Sequence, residues 1–176
     1  MAQFDYFIKI DSIPGESTDE KHKDEIEVLS FSFGMQHGDA GSASTGGART
    51  AGRIRHKPFE FTKVFDKASA KLLEKCCDGS HIPKACFKAN RATGTKQKYL
   101  QIDFTDIIVS HWKSAPQASS ERHIEGQAGG GVMLQTEHVE LNYGSIKFTY
   151  TATDHKTGKA SGDVVAGWDL IQNKKI

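Results

Sequence analysis

The sequence predicts a mostly β fold with one α-helix. Most of its apolar residues alternate with polar ones over short stretches, which is the period of a half-buried strand. One segment, residues 66–79, instead repeats its apolar residues every three or four positions, as a helix does. The predicted strands follow one another at short spacing, and this arrangement is typical of a β-barrel or β-sandwich.

The composition fits one globular domain over residues 1–176. A hydrophobic content of 37% supplies enough apolar surface for a core. The 23 basic residues nearly balance the 22 acidic ones, and a formal charge of +1 gives no general attraction to nucleic acid. No apolar stretch is long enough for membrane insertion, and we expect no cleaved signal peptide at the N-terminus.

The first half of the chain predicts three strands. The first covers residues 5–10 and ends before the turn at Pro14 and Gly15. The second covers residues 26–35 and has two unlike faces. Its core face contains Leu29, Phe31, Phe33 and Met35, and its small polar face contains Ser30, Ser32 and Gly34. The third covers residues 53–64, where Pro58 indicates a sheet edge or a bulge.

A Gly-rich loop, residues 37–52, separates the second and third strands. It contains five glycines with Ser and Thr between them and nothing that could bury a core. A loop of this length inside a domain is usually either functional or disordered. Composition alone favours an ordinary surface loop.

The helix has clear local boundaries, since Asp66 is a suitable N-cap and Gly79 a suitable C-terminal stop. Its apolar stripe contains Phe65, Ala68, Leu72, Leu73 and Cys76. After the helix, strands are predicted over residues 85–89, 99–112, 132–143, 146–152 and 164–171. Residues 132–143 and 146–152 are expected to form a hairpin with its turn at residues 142–145.

The sequence contains no catalytic motif. It lacks a nucleophile elbow, a phosphate-binding loop and a zinc-binding helix, and its eight histidines are scattered. Cys76, Cys77 and Cys86 are too few for a disulfide framework and, with His81, lack the spacing of a zinc site. We therefore expect no catalytic residue, no metal and no cofactor, and a binding or structural role.

A series of short motifs occurs in the order and spacing of a known family. They are Phe7–Ile10, Gly15–Ser17, Asp19, His22, Glu25–Ile26, Val28–Leu29, Ser32–Met35, Phe61–Lys63, Asp66–Ser69, Gly79–His81 and Gly167–Asp169. The chain resembles the haemolysin-coregulated protein (Hcp) family over essentially its whole length. It departs from the family at Phe31 and Phe33, where Trp is frequent, at Pro58 within a strand, and at Arg49 within the Gly-rich loop.

The resemblance implies a β-barrel with one α-helix, similar to a phage tail-tube protein, and no enzymatic activity. Members form the inner tube of the bacterial type VI secretion system as homo-hexameric rings that stack. The implied partners are a valine-glycine repeat spike protein, the contractile sheath and baseplate, and small effector proteins in the lumen. The protein would be made in the cytoplasm and secreted through the machine.

The resemblance also assigns site residues. Ser32, together with Ser30, would face the lumen and contact effectors. The loop that contacts neighbouring subunits or rings would contain His37, Gly46, Gly47, Arg49 and Gly52. The alternative is a small-molecule-binding β-barrel without catalytic activity, which would enclose an apolar cavity in the monomer in place of a wide polar bore in a ring.

Overall fold

The structure, a computed structural model, describes residues 4–37, 54–91, 97–115, 135–154 and 160–176. These residues form eleven strands and one helix, which confirms the predicted mostly β class. The elements are β1 Phe4–Ile10, β2 Ile26–Val28, β3 Ser30–Ser32, β4 Met35–His37, β5 Ile54–His56, β6 Phe59–Val64, α1 Lys67–Asp78, β7 Ile82–Arg91, β8 Gln97–Ala115, β9 Thr136–Thr153, β10 Ala160–Asp169 and β11 Lys174–Lys175.

Nine of the strands belong to one antiparallel sheet. Hydrogen-bonded neighbours follow the order β11-β10-β9-β8-β7-β1-β2, and β6 pairs with both β9 and β3. The long strands β8 and β9 pair from Leu100 and Tyr150 at one end to Ala115 and Thr136 at the other. Strands β4 and β5 pair only with each other among the described residues, and we refer to this two-stranded unit as the arm.

The sheet is not the closed barrel that the sequence predicts. β2 pairs with β1 and β3 pairs with β6, so no single described strand joins β1 to β6. The predicted strand 26–35 is divided because its alternation shifts by one residue at Leu29. Ile26 and Val28 are buried before that point, whereas Phe31 and Phe33 pack against the core after it.

Residues 142–145 do not form the predicted hairpin turn. β9 continues through them, with Asn142 paired to Ile108 and Ser145 paired to Thr105. Gly144 lies close to Asp106, a residue with a φ of 52° in the opposite strand. A Cβ atom at position 144 would lie 2.9 Å from the Asp106 Cβ, so this glycine permits a close approach of two strands.

Helix α1 begins and ends where the sequence predicts. The Asp66 carboxylate accepts a hydrogen bond from the Ala68 amide at 2.8 Å, and the Ser69 hydroxyl accepts one from the Asp66 amide at 3.0 Å. Gly79 ends the helix in the left-handed region with a φ of 63°. Leu72 is fully buried against the sheet. Among the described residues, no helix has the length and apolarity required to span a membrane.

Phenylalanine side chains dominate the core on the inner side of the sheet. Phe59 is fully buried, and its ring centroid lies 4.9 Å from that of Phe104 and 5.2 Å from that of Phe87. The rings of Phe31 and Phe33 lie 6.1 and 6.3 Å from the same residue. The aromatic face predicted for residues 29–35 therefore reaches the core through Phe31 and Phe33. Met35 does not reach it, because its side chain is 47% exposed on the arm.

Candidate functional site

Strands β3, β6, β9 and β8 present a polar face opposite the core. Paired residues of an antiparallel sheet point to the same side, so the register defines two rows across these strands. The first row contains Ser32, Glu60, Glu140 and His111, and the second contains Ser30, Thr62, His138 and Lys113. All eight side chains are exposed or half-buried. We refer to them as the polar face.

Hydrogen bonds and charges determine what the polar face can do. The Ser32 hydroxyl donates to Glu60 Oε2 at 3.3 Å, and His138 Nε2 lies 3.4 Å from Glu140 Oε1. The imidazole rings of His111 and His138 meet edge to face at 6.2 Å. A surface of this kind, made of hydroxyl, carboxylate, imidazole and ammonium groups, binds through polar contacts. The lumen role of Ser30 and Ser32 stays a prediction.

A buried ion cluster on the core side holds α1 against the sheet that carries the polar face. Lys63 Nζ donates to Glu137 Oε1 at 2.6 Å, to Asp66 Oδ1 at 2.7 Å and to the Ser69 hydroxyl at 3.1 Å. Trp112 Nε1 donates to Glu137 Oε2 at 2.8 Å. Lys63 and Glu137 are both 0% exposed, and Lys63 compensates the buried charge of Glu137 while it also pairs with Asp66.

A second polar cluster fixes the segment between β1 and β2. The His22 ring stacks on Phe7 with centroids 4.2 Å apart. Asn90 Nδ2 lies 3.0 Å from His22 Nε2, and His22 Nδ1 lies 2.8 Å from Glu25 Oε2. Since an amide nitrogen only donates, Nε2 is the acceptor and Nδ1 carries the proton that is donated to Glu25. Lys88 Nζ donates to the other oxygen of Glu25 at 2.6 Å.

The predicted contact loop is described only at its two ends, in the arm. His37 is exposed at the end of β4 and pairs with Ile54. Gly46, Gly47, Arg49 and Gly52 lie outside the described residues.

The base of the arm is tied to the core by a neutral hydrogen bond. His56 Nδ1 lies 3.2 Å from the Tyr143 hydroxyl. Burial lowers the pKa of His56 and raises the pKa of Tyr143 to about 12. Both side chains are therefore uncharged at neutral pH.

None of the three cysteines forms a disulfide. Burial, together with a hydrogen bond to Asp103, raises the pKa of Cys86 to about 12 and keeps its thiol protonated. Cys76 is half-buried on α1 and Cys77 is exposed. Within the described ranges, no three His, Cys, Asp or Glu side chains come together as a ligand set for a metal ion.

Strand β10 exposes apolar side chains on both faces of the sheet. Val164 is 64% exposed and Val165 is 50% exposed, and consecutive residues of a strand point to opposite faces. β10 pairs with β9 along its length, whereas β11 pairs with it only at Trp168 and Asp169. Among the described residues, residues 163–166 therefore pair with β9 on one side and with no strand on the other. We refer to this stretch as the β10 edge.

Comparison with known proteins identifies the chain. A family model described as "Type VI secretion system effector, Hcp" matches residues 7–150. The chain belongs to the Hcp family. This Hcp chain is 35% identical over 170 residues to protein hcp1 of Pseudomonas aeruginosa, and the match covers 96% of each chain. The predicted resemblance is therefore confirmed.

Solved structures agree with the family assignment. One, described as a type six secretion system protein, superposes on this Hcp chain with a TM-score of 0.84 at 31% identity and covers 98% of this chain and 99% of its own. The crystal structure of Hcp1 from Salmonella typhimurium gives a TM-score of 0.74 at 31% identity with the same coverage. This Hcp chain is thus a type VI secretion tube or effector protein.

Proposed function

We propose that this Hcp protein is a structural subunit of the type VI secretion inner tube. Six copies close head to tail into a ring, and rings stack into a hollow tube. The contractile sheath, assembled on a baseplate, expels the tube behind a valine-glycine repeat spike protein. The protein is made in the cytoplasm and leaves the cell through this machine, without a catalytic role.

The observation that carries this proposal is the β10 edge. An unpaired strand edge with apolar side chains on both faces promotes association with other chains, and soluble monomers usually protect such edges. Val164 and Val165 are left for a partner to bury. A contact between two different surfaces of identical chains generates a ring when its rotation closes, which is the symmetry that a hexamer requires.

The polar face supplies the wall of the bore. A lumen that carries folded effector proteins must stay wet and must release its cargo, so its wall should lack large apolar side chains. Both described rows of the polar face meet this condition. Ser32 and Ser30 belong to these rows, and we assign them to effector contact.

The arm and the loop that it bounds supply the contact between copies. His37 lies on the arm, and the loop residues Gly46, Gly47, Arg49 and Gly52 complete the segment that we assign to subunit or ring contact. The arm stands apart from the nine-stranded sheet in its pairing. A two-stranded hairpin is marginally stable alone, so a neighbouring copy would stabilise it.

The described residues do not favour a small-molecule-binding barrel. Such a protein needs an apolar cavity among its strands. Here the side chains of Phe59, Phe61, Phe87 and Phe104 fill the inner side of the sheet.

Substituting Ser32 by glutamine tests the lumen assignment. The larger side chain would project from the polar face into the bore and obstruct cargo. We expect intact rings that retain about tenfold less effector. The altered contact between ring and effector is repeated in every subunit, so its small effects on effector affinity combine. Native mass spectrometry measures the ring, and quantitative proteomics of the purified rings measures the bound effector.

The control for this test is Thr18→Gln, which places the same side chain on an exposed loop. It should change neither quantity. Loss of the ring in Ser32→Gln would show that Ser32 lies between subunits, and unchanged effector retention in intact rings would show that it lies away from the bore.

A further inference from the structure

The two rows of the polar face contain five ionisable side chains. Glu60 and Glu140 are acidic, Lys113 is basic, and His111 and His138 are histidines. The three remaining members have hydroxyl side chains. The charge of this surface therefore depends on whether its two imidazoles are protonated.

Protonation of the two imidazoles would reverse the sign of that charge. Imidazole is the side chain whose charge changes between about pH 8 and pH 5. With both histidines neutral, two carboxylates outweigh one ammonium group, and the polar face has one net negative charge. With both histidines protonated, three cations outweigh the two carboxylates, and the polar face has one net positive charge.

Every charged group that faces the two histidines belongs to the polar face. His138 Nε2 lies 3.4 Å from Glu140 Oε1 on the same strand, and in the register His138 lies opposite Lys113 of β8 and Thr62 of β6. His111 lies opposite Glu140, and its ring is 6.2 Å from that of His138. A proton taken up at His138 Nε2 would thus pair with a carboxylate already in place and would mask the charge of Glu140.

The strand face beyond the two rows supplies no further charge. On β9 the same face continues with Thr136 before the rows and with Asn142 after them. Lys63 and Glu137 point to the core side, where both are 0% exposed and pair with each other. The two histidines therefore determine the sign of the charge on this part of the surface.

Closure into a ring would multiply the effect. Six copies of the polar face around one bore would change the charge of the wall from about −6 to about +6, and walls of one sign that enclose a cleft concentrate its potential. A wall without large apolar side chains retains its cargo mainly through such polar and charged contacts.

We propose that the polar face retains effectors with basic surfaces at neutral pH and releases them on acidification, through protonation of His111 and His138. This inference rests on the proposed tube, and it names the class of effector and the condition for its release. Lysine and arginine side chains of the cargo would pair with Glu60 and Glu140 in the loaded tube.

Two charged probes test the inference on purified rings. Fluorescein-labelled oligolysine and oligoaspartate of equal length are titrated with the protein at pH 7.5 and at pH 5.5, at one low salt concentration, and binding is followed by fluorescence anisotropy. We expect oligolysine to bind about tenfold more weakly at pH 5.5 and oligoaspartate to bind about tenfold more tightly. Native mass spectrometry at both pH values measures the ring.

Histidine variants locate the response. His111→Gln combined with His138→Gln should bind oligolysine equally at both pH values, within about twofold, because glutamine stays neutral. The control is His81→Gln, which removes an exposed histidine outside the polar face and should keep the full pH response. Circular dichroism checks the fold of each variant.

Glutamate variants locate the negative charge. Glu60→Gln combined with Glu140→Gln should weaken oligolysine binding about tenfold at pH 7.5. The matched control combines Glu20→Gln with Glu74→Gln, which removes two exposed carboxylates outside the polar face and should change binding by less than about twofold.

Four results would overturn the inference. They are no oligolysine binding at pH 7.5, binding that changes less than twofold between the two pH values, an unchanged pH response in the double histidine variant, and rings that dissociate at pH 5.5. Dissociation counts because cargo would then be lost through disassembly. If native mass spectrometry shows no hexamer at pH 7.5, the proposed function itself fails, so the two failures are distinguishable.

Discussion

Replacing Lys63 by methionine is expected to lower the free energy of unfolding by about 3–5 kcal/mol. Methionine keeps most of the side-chain volume but removes the ammonium group. Glu137, which is 0% exposed, would then keep a buried negative charge without its cation. The N-terminus of α1 would also lose a link to the sheet, because Lys63 contacts both Asp66 and Ser69. Urea unfolding at one protein concentration measures the change.

Two further variants separate charge from packing. Lys71→Met makes the same substitution on the exposed side of α1 and should change stability by less than about 0.5 kcal/mol. Adding Glu137→Gln to Lys63→Met removes both buried charges and should recover part of the loss. If Lys63→Met costs no more than Lys71→Met, the cluster does not stabilise the fold.

Aspartate at Val164 and Val165 together is expected to convert rings into monomers without unfolding them. Val164 is 64% exposed and Val165 is 50% exposed in the single chain, so the folded monomer loses little stability. In a ring the two carboxylates would be buried against a neighbouring copy at a cost of several kcal/mol each. Size-exclusion chromatography with light scattering measures the mass, and circular dichroism checks the fold.

Leu73→Asp is the matched control for this prediction. It also replaces an exposed apolar side chain by aspartate, since Leu73 is 42% exposed. This residue lies on α1, away from the β10 edge. Its rings should persist. If Leu73→Asp dissociates the rings and the β10 variant leaves them intact, the subunit contact lies at the helix. That result would contradict our assignment of the β10 edge.

Features that depend on local chemistry could be predicted from the sequence. The bounds of α1 follow from an N-cap carboxylate at Asp66 and a left-handed glycine at Gly79, both of which act within a few residues. The strand over residues 5–10 follows from simple alternation and is present as β1.

Features that depend on pairing between distant segments could not be predicted. The shift of alternation at Leu29 accompanies a change of partner strand, since β2 pairs with β1 whereas β3 pairs with β6. Gly144 lies in a sequence that is typical of a turn. In the structure it instead allows β9 to pass close to Asp106 of β8. In both places a local pattern was overridden by tertiary contacts.

The buried ion cluster was missed although the sequence contains a signal for it. Lys63 follows the buried Phe59 and Phe61 at every second position, so it lies on the same face of its strand. Glu137 likewise shares a strand face with the buried Val139 and Leu141. Two opposite charges at core-facing positions of different strands indicate a buried pair. Only the strand order shows that β6 and β9 are neighbours and that the two charges meet.

Imaging the purified 176-residue protein tests the hexameric ring most directly. We expect negative-stain electron microscopy to show annular particles with six-fold symmetry and a stain-filled centre, and native mass spectrometry to give six times the 19.3 kDa chain mass. Particles that remain single chains at high protein concentration, or assemblies that show no central opening when viewed end-on, would contradict the proposal.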